Sequence, residues 1–128
     1  MDKFSEIRKK RVILLLKLDS ENIFRKLHER LDESMRVFSQ KRTRDHFSEL
    51  FSTRYFNVSL EDLTFCSEEV IVALNAFYQT VDEMRWYLMV TEDMPSTVND
   101  KARYYFRDLT KHYDTLKLYI VSEFELQL

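Results

Sequence analysis

Apolar residues recur along most of this chain at intervals of three and four positions, which is the spacing of one face of an α-helix. The pattern is clearest in residues 23–38 and 70–88, and each of these segments predicts a long helix. A third apolar series runs from Ala102 to Phe124 and mostly alternates intervals of four and three. This heptad-like spacing predicts a last helix with a continuous apolar face.

Polar residues that cap helices divide the first half of the chain. We expect a first helix over residues 2–17 and a second helix, capped by Asp19 or Ser20, that runs to about Gln40. Thr43 is a candidate cap for a third helix that reaches toward Tyr55, unless the second helix continues through a kink. The sequence alone leaves open whether the first two helices are separate.

The second half carries three further start signals. Ser59 and Asp62 have the spacing of a capping box and predict one short turn, and Ser67 is expected to cap the helix that contains residues 70–88. Pro95 breaks the chain before the last helix, for which Thr97 and Asp100 form another candidate capping box.

The chain contains no glycine and one proline in 128 residues. Tight hairpin turns, phosphate-binding loops and dinucleotide-binding fingerprints depend on glycine, because they need positive φ or a close backbone approach. Their absence, together with the helical spacing, predicts an all-α fold. We expect a single domain over residues 1–128, built as an up-down bundle of four to five helices with short connections.

Cysteine and histidine usage predicts no cofactor or metal site. The single cysteine, Cys66, cannot form an internal disulfide and is expected to be buried. Neither His28 nor His46 belongs to a Glu-x-x-His pair of the kind that holds metals in helical bundles. With no signal-peptide pattern and no uninterrupted apolar span, we expect a cytoplasmic protein that does not enter a membrane.

Positive charge is concentrated in the first half of the chain. Residues 1–54 contain fourteen Lys and Arg against nine Asp and Glu, whereas residues 55–128 contain six against thirteen. Two basic clusters could together contact phosphates or an acidic protein. Their members are Arg8, Lys9, Lys10, Arg11, Lys41, Arg42 and Arg44. Weak, salt-dependent nucleic-acid binding is therefore one alternative function.

Arg107 is followed by Asp108 and, after three more residues, by His112. This spacing resembles the Arg-x(4–6)-His signature of the HEPN family, small all-helical domains of which many are ribonucleases. The resemblance implies that His112 is a general base for an RNA 2′-hydroxyl and that Arg107 stabilises phosphate charge. It also implies that Asp108 occupies the polar position after the arginine and that a homodimer completes the site.

Helix geometry favours a different partner for His112. Five residues of a regular α-helix turn by about 140°, which separates Arg107 from His112, whereas Asp108 lies one turn earlier on the same face as His112. A surface ion pair between Asp108 and His112 is therefore the simpler prediction, and a metal-free ribonuclease is the alternative.

Apolar residues cover most of the circumference of the helix over residues 70–90, and the chain beyond Leu116 is also rich in them. A small monomer does not need that much apolar surface, so we interpret the chain as a non-enzymatic interaction domain with a protein partner, and we expect a homodimer. The candidate interface residues are Trp86, Tyr87, Met89, Tyr119 and Phe124.

Overall fold

The computed structural model describes residues 2–125, with side chains as far as Glu123, and this part of the chain is helical without strands. The all-α prediction is confirmed. The elements are α1 (Lys3–Lys41), α2 (Phe47–Leu50), a 3₁₀ turn (Tyr55–Asn57), α3 (Leu60–Leu63), α4 (Glu68–Val90) and α5 (Pro95–Glu125).

Contacts at the helix ends establish the up-down topology. Lys9, near the start of α1, lies 3.5 Å from Glu123 near the end of α5, and Glu123 accepts hydrogen bonds from Ser67 at the start of α4. At the opposite end, Arg44 donates to the carbonyls of Met89 and Thr91. Helices α1 and α4 therefore run in the same direction, and α5 runs against both. Residues 42–67, which we call the arm, descend between α1 and α4.

Helix α1 is one continuous helix, so the predicted start at Asp19 or Ser20 is wrong. The core face passes through this point without interruption, because Leu16, Ser20, Ile23 and Leu27 are all buried at intervals of four, three and four. No residue there forces a break, since the Ser20 hydroxyl donates within the helix to the carbonyl of Lys17. A helix of 39 residues is about 58 Å long.

The arm replaces the third helix that was predicted from Thr43. Only one turn, α2, forms before the chain leaves the helical path, and Phe47, Leu50 and Phe51 point into the core between α1 and α4. Polar side chains then compete for the backbone, as the Thr53 hydroxyl accepts from the N–H of Tyr55 at 3.1 Å. The arm thus runs in the same direction as α5, against α1 and α4, but most of it is irregular and not helical.

Two predicted helix starts are confirmed. The Ser59 hydroxyl accepts from the N–H of Asp62 at 3.1 Å and caps α3, and Ser67 caps α4 by accepting from the N–H of Val70 at 3.3 Å. The predicted capping box at Thr97 is wrong, because α5 already begins at Pro95. Proline suits this first position, since its fixed φ is helical and no hydrogen bond is required of its nitrogen.

The core lies where α5 packs against both α4 and α1. Across this region Phe24 of α1 stacks on Tyr113 of α5 with ring centroids 4.2 Å apart, and Phe77 of α4 approaches the same tyrosine at 5.8 Å. The apolar stripe of α4 is also buried within the chain. Its fully buried members include Val70, Leu74, Phe77, Val81, Met84 and Leu88.

The end of α1 shows what a chain without glycine must do. Arg42 takes the left-handed conformation, with φ of 57°, while its N–H bonds the carbonyl of Phe38 at 2.9 Å. This conformation costs a non-glycine residue about 1–2 kcal/mol. Helices that end in this conformation usually place a glycine there.

We expect Arg42→Gly to raise the free energy of unfolding by up to about 1 kcal/mol, because the relieved strain exceeds the entropy that glycine adds to the unfolded chain. The matched control is Lys41→Gly, at the last helical residue of α1, which should lower the free energy of unfolding by up to about 1 kcal/mol. Urea denaturation measures both. Equal destabilisation by the two substitutions would show that the left-handed residue is not strained.

Candidate interaction surface

A partly buried polar cluster centred on Asp19 fixes the arm against the long helices. The Asp19 carboxylate accepts from the hydroxyl of Thr53 at 2.5 Å, from the hydroxyl of Tyr78 at 2.5 Å and from the N–H of Arg54 at 3.1 Å. Burial, together with the hydrogen bond to Asp19, raises the pKa of Tyr78 far above its usual range. Tyr78 is therefore a neutral donor, and Asp19 joins α1, the arm and α4.

A groove of about 600 Å³ lies beside this cluster, between α1 and the arm. Its walls combine apolar side chains of α1, such as Leu15 and Leu18, with Tyr55 and Val58 of the arm and the polar group of Asp19. Leu15 and Leu18 also belong to the outside of α1, since they are 65% and 49% exposed. The groove thus opens onto the outer side of that helix.

The outer side of α1 carries a second apolar face. We call Phe4, Ile7, Arg11, Leu14 and Leu18 the outer stripe. Its four apolar side chains are between 39% and 87% exposed. Each member stands nine residues before a buried one, which on an α-helix is a rotation of about 180°. The corresponding core residues are Ile13, Leu16, Ser20, Ile23 and Leu27. Helix α1 is therefore apolar on two opposite sides, of which one faces the core.

The sequence signal for the outer stripe was present but was not recognised. Five consecutive apolar residues, Val12 to Leu16, are more than one face of a helix can accommodate, and the stripe itself has intervals of three, four, three and four. From the sequence we expect a first helix and a basic cluster in this segment, with no signal-peptide pattern, and no second apolar face. Its amphipathic periodicity is hidden because both faces are apolar.

The predicted basic cluster from Arg8 to Arg11 is divided by the helix, which turns about 100° per residue. Arg8 pairs with Asp62 of α3 at 2.8 Å, and Lys9 pairs with the buried Glu123 at 3.5 Å. Lys10 and Arg11 are exposed, and no carboxylate of the described side chains lies within 4 Å of either. The outer stripe therefore has an unneutralised positive charge at its centre.

The second predicted basic cluster does not join the first. Lys41 lies 30 residues beyond Arg11 on the same helix, a distance of about 45 Å. Arg44 is occupied with the carbonyls at the end of α4 and stacks its guanidinium over the ring of Phe38 at 5.5 Å. The structure thus does not bring the two basic clusters together as one phosphate-binding surface.

Arg107 and His112 line different grooves of this chain. Arg107 lines the groove between α1 and α5, along with His28, whereas His112 lines the groove between α4 and α5 beside Glu69. His112 Nε2 lies 3.6 Å from the Asp108 carboxylate, which is the predicted pair one turn apart. Within one chain the residues of the HEPN-like spacing do not converge.

The predicted interface residues on α4 and α5 are dispersed. Trp86 is 62% exposed, but Tyr119 lines the groove at the other end of α4, about 20 Å away along the helix axis. Tyr87 and Met89 are half-buried, and the Tyr87 hydroxyl donates to Asp93 at 2.6 Å. That hydrogen bond and one from Lys101 lower the pKa of Asp93. The side chain of Phe124 lies outside the described part.

Residues 2–125 contain no cluster of metal ligands, and the cysteine in this range is buried. No group of three or more His, Cys, Asp or Glu is placed there to hold a metal ion. Cys66 is buried, as predicted, and burial raises its pKa to about 11, so the thiol is not an activated nucleophile. None of the helices in the same range combines the length and apolarity needed to cross a bilayer.

Comparisons of the chain with protein-family models, with curated proteins and with solved structures found no match.

The Asp19 cluster yields a stability prediction. We expect Tyr78→Phe to lower the free energy of unfolding by about 1 kcal/mol, the value of one hydrogen bond. Asp19→Ala should cost about 2–4 kcal/mol, because it removes three bonds and leaves the buried Tyr78 hydroxyl without a partner. The double variant should cost less than the sum, since both substitutions remove the same contact.

Urea denaturation measures these values, with Asp82→Ala as the control. Asp82 pairs with Arg85 on the exposed side of α4, and its loss should change stability by no more than about 0.5 kcal/mol. If Asp19→Ala proved as mild as the control, the cluster would have no role in holding the arm.

Proposed function

We propose that this chain is a non-enzymatic interaction domain, a small cytoplasmic adaptor or regulator that binds another protein through the outer side of α1. The observation that supports the proposal is the second apolar face of that helix. Exposed apolar residues are common on protein surfaces when they are scattered. Four of them aligned on one side of a helix, interrupted only by Arg11 and lying beside an open groove, are typical of a binding surface.

The position of the row also supports the proposal. Residues 3–12 contain no buried side chain, so this part of α1 extends along the bundle with its outer side accessible. Leu15 and Leu18 continue the apolar surface into the groove beside the arm. A partner that covers Phe4, Leu14 and Leu18 can therefore insert a side chain into that groove, as interfaces with a central anchor do.

The homodimer through α4 and α5 has less support than the sequence suggested. The fold covers most of the α4 stripe within one chain, and the apolar side chains that stay exposed form two groups at opposite ends of α4. Trp86, Val90 and Met94 lie at one end, and Ile71, Val72, Leu118, Tyr119 and Val121 lie at the other. The two groups are about 20 Å apart along the helix axis, so they do not form one continuous apolar patch. The dimer stays a prediction, and sedimentation at micromolar concentration tests it, since a monomer at every concentration would contradict it.

The proposal predicts that binding depends on the outer stripe and not on the rest of the surface. Immobilised wild-type protein and a Leu14→Glu/Leu18→Glu variant are exposed to an extract of the native cells, and retained proteins are quantified by mass spectrometry. We expect at least one protein to be retained by the wild type and reduced tenfold or more with the variant, because two charges disrupt the apolar contact.

The matched control is Lys111→Glu/Lys117→Glu, which introduces the same number of carboxylates on the exposed side of α5. It should retain the wild-type set of proteins. Circular dichroism must show equal helicity in all three proteins. If the outer-stripe variant and the control retained identical proteins, the proposed surface would be refuted.

The ribonuclease alternative predicts RNA cleavage, and the non-enzymatic proposal predicts none. Because Arg107 and His112 line different grooves, we expect no cleavage of labelled RNA in EDTA by the wild-type protein and no difference in a His112→Ala variant. Gel electrophoresis of the RNA is the measurement. Metal-independent cleavage that disappears in His112→Ala would overturn the non-enzymatic proposal and would favour a site completed by a second copy.

A further inference from the structure

We infer that the outer stripe binds an amphipathic α-helix of the partner, and that this helix carries an acidic side chain in the middle of its apolar face. The inference rests on the proposed function, to which it adds the chemistry of the partner. It depends on three properties of the stripe: its spacing, the charge at its centre and the charges beside it.

The spacing of the stripe is that of a helix-binding seam. Phe4, Ile7, Arg11, Leu14 and Leu18 follow intervals of three, four, three and four, which are the a and d positions of two heptads. The row spans fourteen residue steps, or about 21 Å along the α1 axis. A straight row of this length, apolar except at Arg11, matches the side of another helix, which contacts such a surface through residues at the same intervals.

The charge at the centre selects the partner. Arg11 occupies the middle position of the seam, with apolar side chains on both sides, and no carboxylate of the described side chains lies within 4 Å. A helix that covers the seam removes the guanidinium from water, and a buried charge without a partner is strongly unfavourable. A glutamate or aspartate opposite Arg11 provides a charge-assisted hydrogen bond and fixes the register of the two helices.

The position of Arg11 also disfavours pairing of the stripe with the stripe of a second copy of this chain. Arg11 is the midpoint of the stripe, so full overlap of two stripes places Arg11 against Arg11 in either the parallel or the antiparallel orientation. Like charges in that arrangement repel each other and cannot be desolvated together. The seam is therefore suited to a different chain.

The surrounding charges add to this preference. From Lys3 to Leu18 the helix carries six Lys and Arg and a single acidic residue, Glu6. Lys9 and Arg8 have acidic partners within the bundle, but Lys3, Lys10 and Arg11 have none among the described side chains. An acidic helix is attracted to such a surface before contact.

An anionic bilayer fits the stripe less well. Helices that lie in a membrane interface keep their cations at the border of the apolar face, where they meet the headgroups. In α1 one cation occupies the centre of that face, and a bilayer would carry Arg11 to the level of the acyl chains. A protein carboxylate neutralises a cation at this position, whereas acyl chains do not.

Two synthetic helical peptides test the inference. Both carry leucines at the a and d positions of two heptads and differ only at the central a position, which is Glu in one and Lys in the other. Binding of each labelled peptide is followed by fluorescence anisotropy. We expect the wild-type protein to bind the Glu peptide at least tenfold more tightly than the Lys peptide, and the Arg11→Glu variant to reverse this preference.

The control is Lys111→Glu, which makes the same change of charge on α5, away from the stripe. It should keep the wild-type preference. If the wild type bound both peptides equally and Leu14→Glu/Leu18→Glu abolished both, the acidic partner would be refuted while the α1 surface stood as a binding surface. If neither peptide bound, a helical partner would be refuted irrespective of the extract experiment.

Vesicles of phosphatidylcholine and phosphatidylserine in a three-to-one ratio test the remaining alternative, an anionic membrane, as the occupant of the stripe. We expect no sedimentation of the protein with them at physiological salt. Co-sedimentation that Leu14→Glu/Leu18→Glu abolishes, in a protein that binds neither peptide, would identify an anionic membrane as the occupant and overturn the inference.

The Arg11→Leu variant tests the role of the central charge directly. The substitution makes the outer stripe apolar from Phe4 to Leu18. We therefore expect sedimentation velocity to show a larger oligomer for this variant than for the wild type at the same concentration. An oligomeric state unchanged from the wild type would show that Arg11 is not what prevents self-pairing.

Discussion

The Asp19 carboxylate is the contact on which the placement of the arm depends. It lies at the middle of α1 and receives donors from Thr53, Arg54 and Tyr78, which belong to the arm and to α4. A partly buried carboxylate is costly unless its oxygens are satisfied, and here three donors satisfy them. Because the arm is held on this side of α1, its aromatic residues fill the space between α1 and α4. The opposite side of α1 is left uncovered.

Charged side chains hold the two ends of α4 in a comparable way. Glu123 binds the N–H and hydroxyl of Ser67 at the start of α4, and Arg44 binds the carbonyls of Met89 and Thr91 at its end. Helix ends leave backbone groups without intrahelical partners, and glycine-based caps usually satisfy the last carbonyls. A chain without glycine uses long side chains from neighbouring elements, which ties α4 to α5 and to the arm.

The fold class was predictable because helical spacing can be recognised within short segments of the sequence, and the lack of glycine disfavours the tight turns of a sheet. The helix starts at Ser59 and Ser67 were predictable for the same reason. The continuity of α1 was not, since Asp19 resembles a cap in sequence and its true partners are 34 to 59 residues away. The outer stripe was missed because two opposite apolar faces cancel the periodic contrast by which a single face is recognised. The positions of Arg107 and His112 followed from helix geometry alone.

The central claim is that the outer side of α1 is not needed for folding. The most direct measurement is the free energy of unfolding, from urea denaturation, of Leu18→Glu and Leu27→Glu, two leucines nine residues apart on opposite sides of one helix. Leu18 is 49% exposed and Leu27 is 0% exposed. The account predicts a loss within about 0.5 kcal/mol for Leu18→Glu, and a loss of at least about 4 kcal/mol or complete unfolding for Leu27→Glu. Comparable destabilisation by both substitutions would show that the outer leucines belong to the core, and would contradict the account.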